Sequence, residues 1–338
     1  MRVLATGGLG FIGAHTCVEL AREGSRLVIV DNLSNAKPSA LARIRELAPG
    51  ADIEFVQADI RDAAALDRIF SAGDIDAVIH FAGLKAVGES AAKPLEYYDN
   101  NVCGTVALLL AMARRGVERL VFSSSATVYG EPERLPLTED HRLQATNPYG
   151  RTKLMIDEII ADHAAARPAF RHATLRYFNP IGAHVSGRIG EDPRGVPNNL
   201  LPYLTQVAVG RLPRLRIFGG DYATVDGTGV RDYIHVVDLA SGHLAALRYL
   251  RSRDRSILVN LGTGRGYSVL EVVKAFETAT GRKVPYDIVA RRPGDSAASY
   301  ADTSFAAREL GWRAKFGIED MCRDAWRWQS ANPDGYPD

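Results

Sequence analysis

A chain of 338 residues with 46% hydrophobic residues has apolar material for one large or two smaller cores, and its formal net charge is only +1. That balance excludes a disordered chain and argues against nucleic acid as a partner, because nucleic-acid binders concentrate basic residues on one face while the arginines here are spread along the whole chain. Cys17, Cys103 and Cys322 show no CxxC spacing, and the 8 histidines are scattered. The expectation is therefore reduced thiols in a cytoplasmic protein with no metal site.

In chain order, residues 3–5 read as a short apolar strand at the very start, which gives no sign of a signal peptide. A glycine-rich turn follows, then a helical pattern over 11–23 stopped by Gly24. Residues 27–30 form a second β-branched run ending at Asp31, and 53–56 a third ending near Asp59. Residues 77–81, 119–122 and 172–177 predict three more strands, and 96–114 and 149–165 predict long helices. The longest apolar run, 105–113, is too short to cross a bilayer, so no membrane partner is expected. Near-continuous apolar strands alternating with helices imply an α/β fold with a doubly wound parallel sheet of Rossmann type. After Asn179-Pro180 the texture becomes rich in Gly, Pro, Asn and Asp, with helical windows at 200–209, 238–250, 269–280 and 318–329. The expected division is a dinucleotide-binding domain over 1–179 and a smaller, loop-rich substrate lobe over 180–338, with parts of 236–262 returning to the first domain.

The first turn, Gly7-x-x-Gly10-x-x-Gly13, lies between a strand and a helix, where glycines allow a tight turn and close approach of a pyrophosphate to the helix N-terminus. Asp31, 18 residues after Gly13, is placed to accept a ribose 2′-OH and to repel a 2′-phosphate, which favours NAD over NADP. Asp59, ending the third strand, is placed to reach the adenine. Far downstream, Tyr149 and Lys153 stand one helical turn apart on one face. A free phenol titrates near ~10 and is a poor base at neutral pH, so the expectation is that a charged Lys153, with an oxidised nicotinamide, favours the Tyr149 phenolate. The Ser123-Ser124-Ser125 run ends the fifth strand, at the carboxyl edge where open α/β sheets bind ligands.

These motifs resemble the extended short-chain dehydrogenase/reductase family, and within it the UDP-hexose 4-epimerases. The resemblance runs through TGGLGFIG (6–13), DNL (31–33), HFAGLKAVGES (80–90), PLEYYDNN (94–101), SSSATVYG (123–130) and NPYGRTK (147–153). It continues through LRYFNPIGAH (175–184), PNNLLPY (197–203), DGTGVRDYIHV (226–236) and the closing GYPD (335–338). It implies that Ser125, Tyr149 and Lys153 are catalytic. It implies a tightly bound NAD held by the glycine turn with Phe11 and Ile12, by Asp31, Asn32, Asp59 and Ile60, and by Phe81, Ala82, Gly83 and Lys85. Asn100, Ser123, Tyr149, Lys153 and Phe178 would complete that site. For the UDP-sugar it implies Asn179, Asn199, Leu200, Phe218, Arg231, Tyr233, Arg292 and Asp295, with Lys85, Ser125, Thr127, Tyr149, Tyr177 and Ser299 towards the sugar. The implied reaction is reversible epimerisation at C4 of a UDP-hexose through a 4-keto sugar and bound NADH, with no net redox. A homodimer joined through helices near 96–114 and 149–166 is also implied.

Other readings remain open at this stage. A 4,6-dehydratase needs extra acid/base groups beside the serine, where 125–129 reads Ser-Ala-Thr-Val-Tyr with no carboxylate. A UDP-xylose or UDP-uronate epimerase differs only in a contact at C5. A non-enzymatic NAD sensor would have no need of Tyr149 and Lys153. Two positions depart from the family pattern. Arg151-Thr152 between the catalytic pair is a mild variation. Ser299 stands where a bulky Tyr accompanies restriction to UDP-glucose and UDP-galactose, so a small residue there implies acceptance of UDP-GlcNAc and UDP-GalNAc. A one-residue shift would instead put Tyr300 in the gate.

Overall fold

The computed structural model describes residues 1–292 and 294–337. The chain runs β1 (Arg2–Thr6), α1 (Phe11–Arg22), β2 (Arg26–Asp31), α2 (Ser39–Leu47), β3 (Ile53–Gln57), α3 (Ala63–Ser71), β4 (Ala77–His80), α4 (Val87–Ala92) and α5 (Pro94–Tyr97). A π-helical turn (Tyr98–Cys103) leads into α6 (Gly104–Arg114), followed by β5 (Arg119–Ser123), a 3-10 turn (Ala126–Val128), α7 (Pro148–Ala166) and β6 (Arg171–Tyr177). Then come β7 (Asn179–Ile181), α8 (Leu200–Ala208), β8 (Leu215–Phe218), β9 (Val230–His235), α9 (Val236–Arg253) and β10 (Ile257–Leu261). The chain closes with β11 (Gly266–Ser268), α10 (Val269–Thr280), β12 (Tyr286–Val289), β13 (Ala298–Ser299), α11 (Ser304–Leu310) and α12 (Ile318–Ala331).

The main sheet has seven strands in the order β3-β2-β1-β4-β5-β6-β10, and the pairs from β3 through β6 are parallel. This is the α/β, doubly wound sheet expected from the alternating pattern. A seventh strand, β10, joins beside β6 from late in the chain. The four residues of β4 are all buried, as are Val3, Leu4 and Ala5 of β1, which is why their sequences show no alternation. One apolar cluster joins strand residues Leu4, Val78 and Phe122 to Leu66 and Phe70 of α3, Leu108 and Met112 of α6, and Ile156 and Ile160 of α7. Burial of each such side chain is worth about 1.5–3 kcal/mol. Sheet growth reverses between β1 and β4, the place where doubly wound sheets open a crevice beyond their carboxyl ends.

The predicted helix over 96–114 is present in the structure, but it carries a π-helical turn within it. Residues Tyr98–Cys103 widen into a π-helical turn. Asn101 there turns a fully buried side chain inward, donating to Thr152 Oγ1 (3.0 Å) and to Leu84 O (3.0 Å), while Thr105 Oγ1 donates to Asn101 O (2.6 Å). Single π-turns of this kind recur at functional sites. Long-range bonds, invisible to local periodicity, set it.

Contacts divide the chain into two compact units. The first comprises Met1–Gly130, His141–Tyr177 and Ala240–Val259; the second comprises Glu131–Asp140, Phe178–Leu239 and Asn260–Asp338. In the second unit β9 is the hub: β7 and β13 pair with it in parallel and β11 antiparallel, while β8 and β12 form a separate parallel pair. Its core gathers Leu201 and Leu204 of α8, Val272 and Phe276 of α10, and Met321 and Ala325 of α12. No helix among the described residues is long and apolar enough to cross a membrane.

Candidate active site

The glycine turn is built around positions where a side chain does not fit. Gly7 adopts φ +67°, and a Cβ there would lie 2.6 Å from Ala82 N. A Cβ on Gly13 would lie 2.4 Å from Gly7 O. The turn is closed by Gly7 N donating to Val30 O (2.7 Å) and Gly10 N to Gly7 O (3.1 Å). Gly10 caps α1 with no side-chain bond, so the first N–H groups of the helix stay available to an anion. Phe11 and Ile12 open the helix, with the Phe11 ring edge-on to His15.

Asp31 is buried and accepts from Leu9 N (3.1 Å) and Leu33 N (2.9 Å). Burial pushes its carboxyl up and these two N–H bonds draw it back. Asn32 donates to Asp59 Oδ2 (2.9 Å). Asp59 is gripped by Arg61, whose Nε and Nη2 take both of its oxygens while Nη1 reaches Asp99 (2.6 Å). That bidentate guanidinium holds the Asp59 carboxyl well below the usual range. Ile60 is buried against Gly104, where a Cβ would come within 2.6 Å.

After β4, Phe81, Ala82 and Gly83 lie at the carboxyl edge, and Lys85 is exposed. The Phe81 ring lies 4.9 Å from that of His243, a buried residue of α9 whose Nε2 pairs with Ser123 Oγ (2.8 Å). Tyr177 lies on the other flank, 6.1 Å from His243, with its phenol raised by burial. Asn100 donates to Asn101 Oδ1 (2.9 Å), which also accepts Leu84 N (2.8 Å), so the loop after β4 is tied to the π-turn.

Asn147 caps α7 by accepting Gly150 N (2.8 Å), with Pro148 in the first turn. The next residue, Tyr149, is 8% exposed and Lys153 is 4% exposed. Lys153 Nζ donates to Ser123 O (2.8 Å) and lies 4.8 Å above the Phe122 ring. Burial lowers its pKa to about 8, against which Asp157 pulls it up. The Ser125 Oγ accepts from the Thr127 hydroxyl (2.9 Å) and lies beside the Tyr149 phenol, favouring its charged form. Burial raises the Tyr149 phenol, and Ser125 draws it back.

A buried polar chain, which sequence reasoning missed, supports this helix. Thr6 Oγ1 meets His80 Nδ1 (2.6 Å), His80 Nε2 meets Thr105 Oγ1 (2.9 Å), and Asn101 connects to Thr152, whose hydroxyl donates to Tyr149 O (2.7 Å). Burial, then Lys153, lowers His80 to about 3, so it stays neutral. The signal available in sequence was the second asparagine of PLEYYDNN, which falls two residues before Cys103 with no helical role of its own.

The remaining candidates belong to the second unit. Phe178 is buried and donates its N–H to Leu261 O (3.2 Å). Asn179 is exposed, in register with Tyr233, which is a core residue with its phenol pushed up to about 12 by burial. Asn199 precedes Leu200 at the start of α8 and donates to Glu191 (2.8 Å). The Arg292 guanidinium stacks 3.8 Å above Phe218, and Asp295 N donates to Arg292 O (3.3 Å). Ser299 pairs in parallel register with Arg231, so the two share a face, while Tyr300 next to it packs towards Gly266 and accepts Leu137 N through its carbonyl (2.8 Å). Of the closing GYPD, Asp338 lies outside the described residues, as does Pro293 after Arg292.

The chain matches a family model described as GDP-mannose 4,6 dehydratase over residues 4–325. It is 59% identical over 336 residues, 99% of each chain, to the UDP-glucose 4-epimerase of Bacillus subtilis (strain 168). It is similar to the solved UDP-glucose-4-epimerase of Stenotrophomonas maltophila with bound NAD and formylated UDP-arabinopyranose, at TM-score 0.95 and 55% identity over 98% of each chain. The Bifidobacterium longum UDP-glucose 4-epimerase, solved with NAD+ and UDP, gives TM-score 0.96 and 52% identity over 99% of this chain and 100% of that one. The dehydratase model describes the shared frame, but the serine segment here has no dehydratase acid and the high-identity relatives are epimerases. The chain therefore belongs to the UDP-glucose 4-epimerase family of extended short-chain dehydrogenases/reductases.

Proposed function

We propose that Ser125, Tyr149 and Lys153 of this chain interconvert the C4 epimers of a UDP-hexose, UDP-galactose and UDP-glucose, through a 4-keto sugar with no net redox. The observation that carries this reading is the enclosed Ser125–Tyr149–Lys153 set beyond the carboxyl end of β5, on the same sheet edge as the glycine turn after β1. The turn's missing Cβ atoms, the free N–H groups of α1 and the buried Asp31 carboxylate fit a dinucleotide. Gly7, Gly10, Gly13, Asp31 and Asn32 would hold it. When bound, NAD supplies the acceptor and donor of the C4 hydride.

The chain's own groups manage the proton. The Tyr149 oxygen takes the proton of the sugar 4-OH, with the Ser125 hydroxyl beside it placed to relay it. Lys153, anchored on Ser123 O, places a positive charge where the phenolate forms. On the return stroke Tyr149 gives the proton back after the keto sugar has presented its other face. The nucleotide must stay anchored while the sugar turns over, so binding energy belongs in the UDP contacts, which we assign to Asn179, Asn199, Leu200, Phe218, Arg231, Tyr233, Arg292 and Asp295. The Arg292–Phe218 stack and the arginines' fit to a diphosphate support that assignment. Residues 1–179, apart from Asn179, thus supply cofactor binding and chemistry, and 180–338 the rest of the substrate grip.

The register of β13 on β9 favours Ser299, not Tyr300, as the gate, because Ser299 shares its face with Arg231. A small gate admits a 2-acetamido group, so UDP-GalNAc and UDP-GlcNAc join the substrates. The exposed apolar residues Leu95, Leu110 and Met155, at 80%, 54% and 43%, support pairing of two copies through the 96–114 and 149–166 helices. Unpaired Cys17, Cys103 and Cys322 support a cytoplasmic setting. A coupled assay on UDP-galactose, UDP-GalNAc and UDP-xylose with no NAD added tests the reading. UDP-glucose must appear from UDP-galactose; its absence from NAD-bearing enzyme sinks the function, and an inert UDP-GalNAc sinks the Ser299 gate.

A further inference from the structure

One buried charge pair lies outside the machinery just described. Asp157 follows Lys153 by one turn on α7, which sets Tyr149, Lys153 and Asp157 in a single stripe at i, i+4 and i+8. Arg176 of β6 donates through Nε to Asp157 Oδ2 (3.0 Å), and both side chains are 4% exposed. Arg176 is itself fixed, with Nη1 3.4 Å from the Tyr129 hydroxyl and the guanidinium 5.2 Å over the Tyr129 ring. Only one Asp157 oxygen is used this way. Oδ1 is fully buried and makes no well-formed hydrogen bond, and the same is true of the neighbouring Ser124 hydroxyl, although that hydroxyl still bears on the Asp157 carboxylate. A carboxylate kept dry, with one oxygen unspent, is costly to maintain for packing alone. Ser124 sits between Ser123, which accepts the Lys153 ammonium, and Ser125, which lies beside Tyr149.

We infer that Asp157, clamped by Arg176 one turn beyond Lys153 on the buried stripe of α7, is a positioning residue that supports the Lys153 ammonium beside Tyr149. The inference rests on the catalytic reading of Tyr149 and Lys153. Burial pushes the Lys153 ammonium towards its neutral form, and Asp157 opposes this; burial likewise raises the Asp157 carboxyl, and Arg176, Ser124 and Lys153 draw it back. Other titratable groups face the same region: Tyr149 on α7 itself, neutral His80 on β4, Tyr177 on β6, His243 of α9 through Ser123, and Tyr97 of α5 with its partner Glu89 of α4. None of these places a negative charge on the Lys153 side that could replace Asp157; Glu89 is spent on the Tyr97 hydroxyl.

The test compares pH profiles of the NAD-loaded enzyme. Asp157→Asn should move the alkaline limb of kcat down by about one pH unit. It should also shift the Tyr149 phenolate titration, read by ultraviolet absorbance against a Tyr149→Phe background, to higher pH. Asp157→Glu should restore both. Because Asp157→Asn strands a buried guanidinium, the double variant Asp157→Leu with Arg176→Met, which removes that guanidinium together with its partner, must show shifts in the same direction. A folded single or double variant whose limb and phenolate titration stay at wild-type positions, with only Tm or kcat amplitude reduced, overturns the inference. Lys153→Arg separates the two claims: it should abolish the limb, and a limb unmoved there refutes the catalytic reading of Lys153 and not the role of Asp157 alone.

Discussion

In the first unit the groups assigned to chemistry, Ser125, Tyr149 and Lys153, are withdrawn from water, as are His80, Asp157 and Ser124 that support them, and several titrate away from their ordinary values. In the second unit half of the residues assigned to the nucleotide stand at the surface: Asn179, Asn199, Arg292 and Asp295 are exposed, while Tyr233 alone among the set is buried. The contrast follows from the two tasks. Proton transfer needs groups whose charge is set by their surroundings, which requires desolvation. Gripping a diphosphate needs charged guanidinium forks that can meet the ligand from water.

The contrast can be broken most decisively at Tyr149. Tyr149→Phe should lower kcat by about 10³-fold, within the range of a lost general acid–base group, while purified protein keeps its NAD; a change confined to KM would contradict the division. Arg292→Ala should do the reverse. KM for the UDP-sugar should rise roughly 10- to 100-fold, as for a lost charge-assisted bond, with kcat within a few-fold and the defect shrinking at high ionic strength.

Lys153→Met sharpens the point through stability. In the folded protein Lys153 titrates near 8 against an ordinary 10.5. Its native contribution is present above 10.5 and is lost as pH falls through 8, because the buried site disfavours the charged form that the unfolded chain holds freely. The inactive Lys153→Met enzyme should therefore be more stable than wild type near pH 7, by about 2 kcal/mol, with the advantage fading as pH rises from about 8 to 10.5 in denaturant titrations. The smallest effect on the UDP-galactose reaction is expected from Ser299→Tyr, which should remove UDP-GalNAc turnover while leaving UDP-galactose turnover within a few-fold.

The strands and glycine turn of the first unit were legible because buried parallel strands and a strand–turn–helix glycine motif are local patterns. The π-turn at Tyr98–Cys103 was not, since Asn101 makes it by bonding Thr152 and Leu84, far away in sequence. The same limit hid β7, β11 and β13, two- and three-residue strands that exist only because β9 offers them edges. Among the site residues, the Tyr149–Lys153 spacing was plain, but the upward shift of the phenol was not, because enclosure is a property of the assembled sheet edge. Asp157 was visible as one more turn of the same stripe. Its burial with Arg176 was what gave it meaning.

The central claim is that hydride leaves C4 and returns to the same carbon within one enclosed site. UDP-galactose carrying deuterium at C4, turned over in ordinary water with no NAD added, tests it directly. The account predicts UDP-glucose that retains the deuterium at C4. Loss of the label to solvent would mean that C4 is inverted through a carbon-bound proton, and would contradict it.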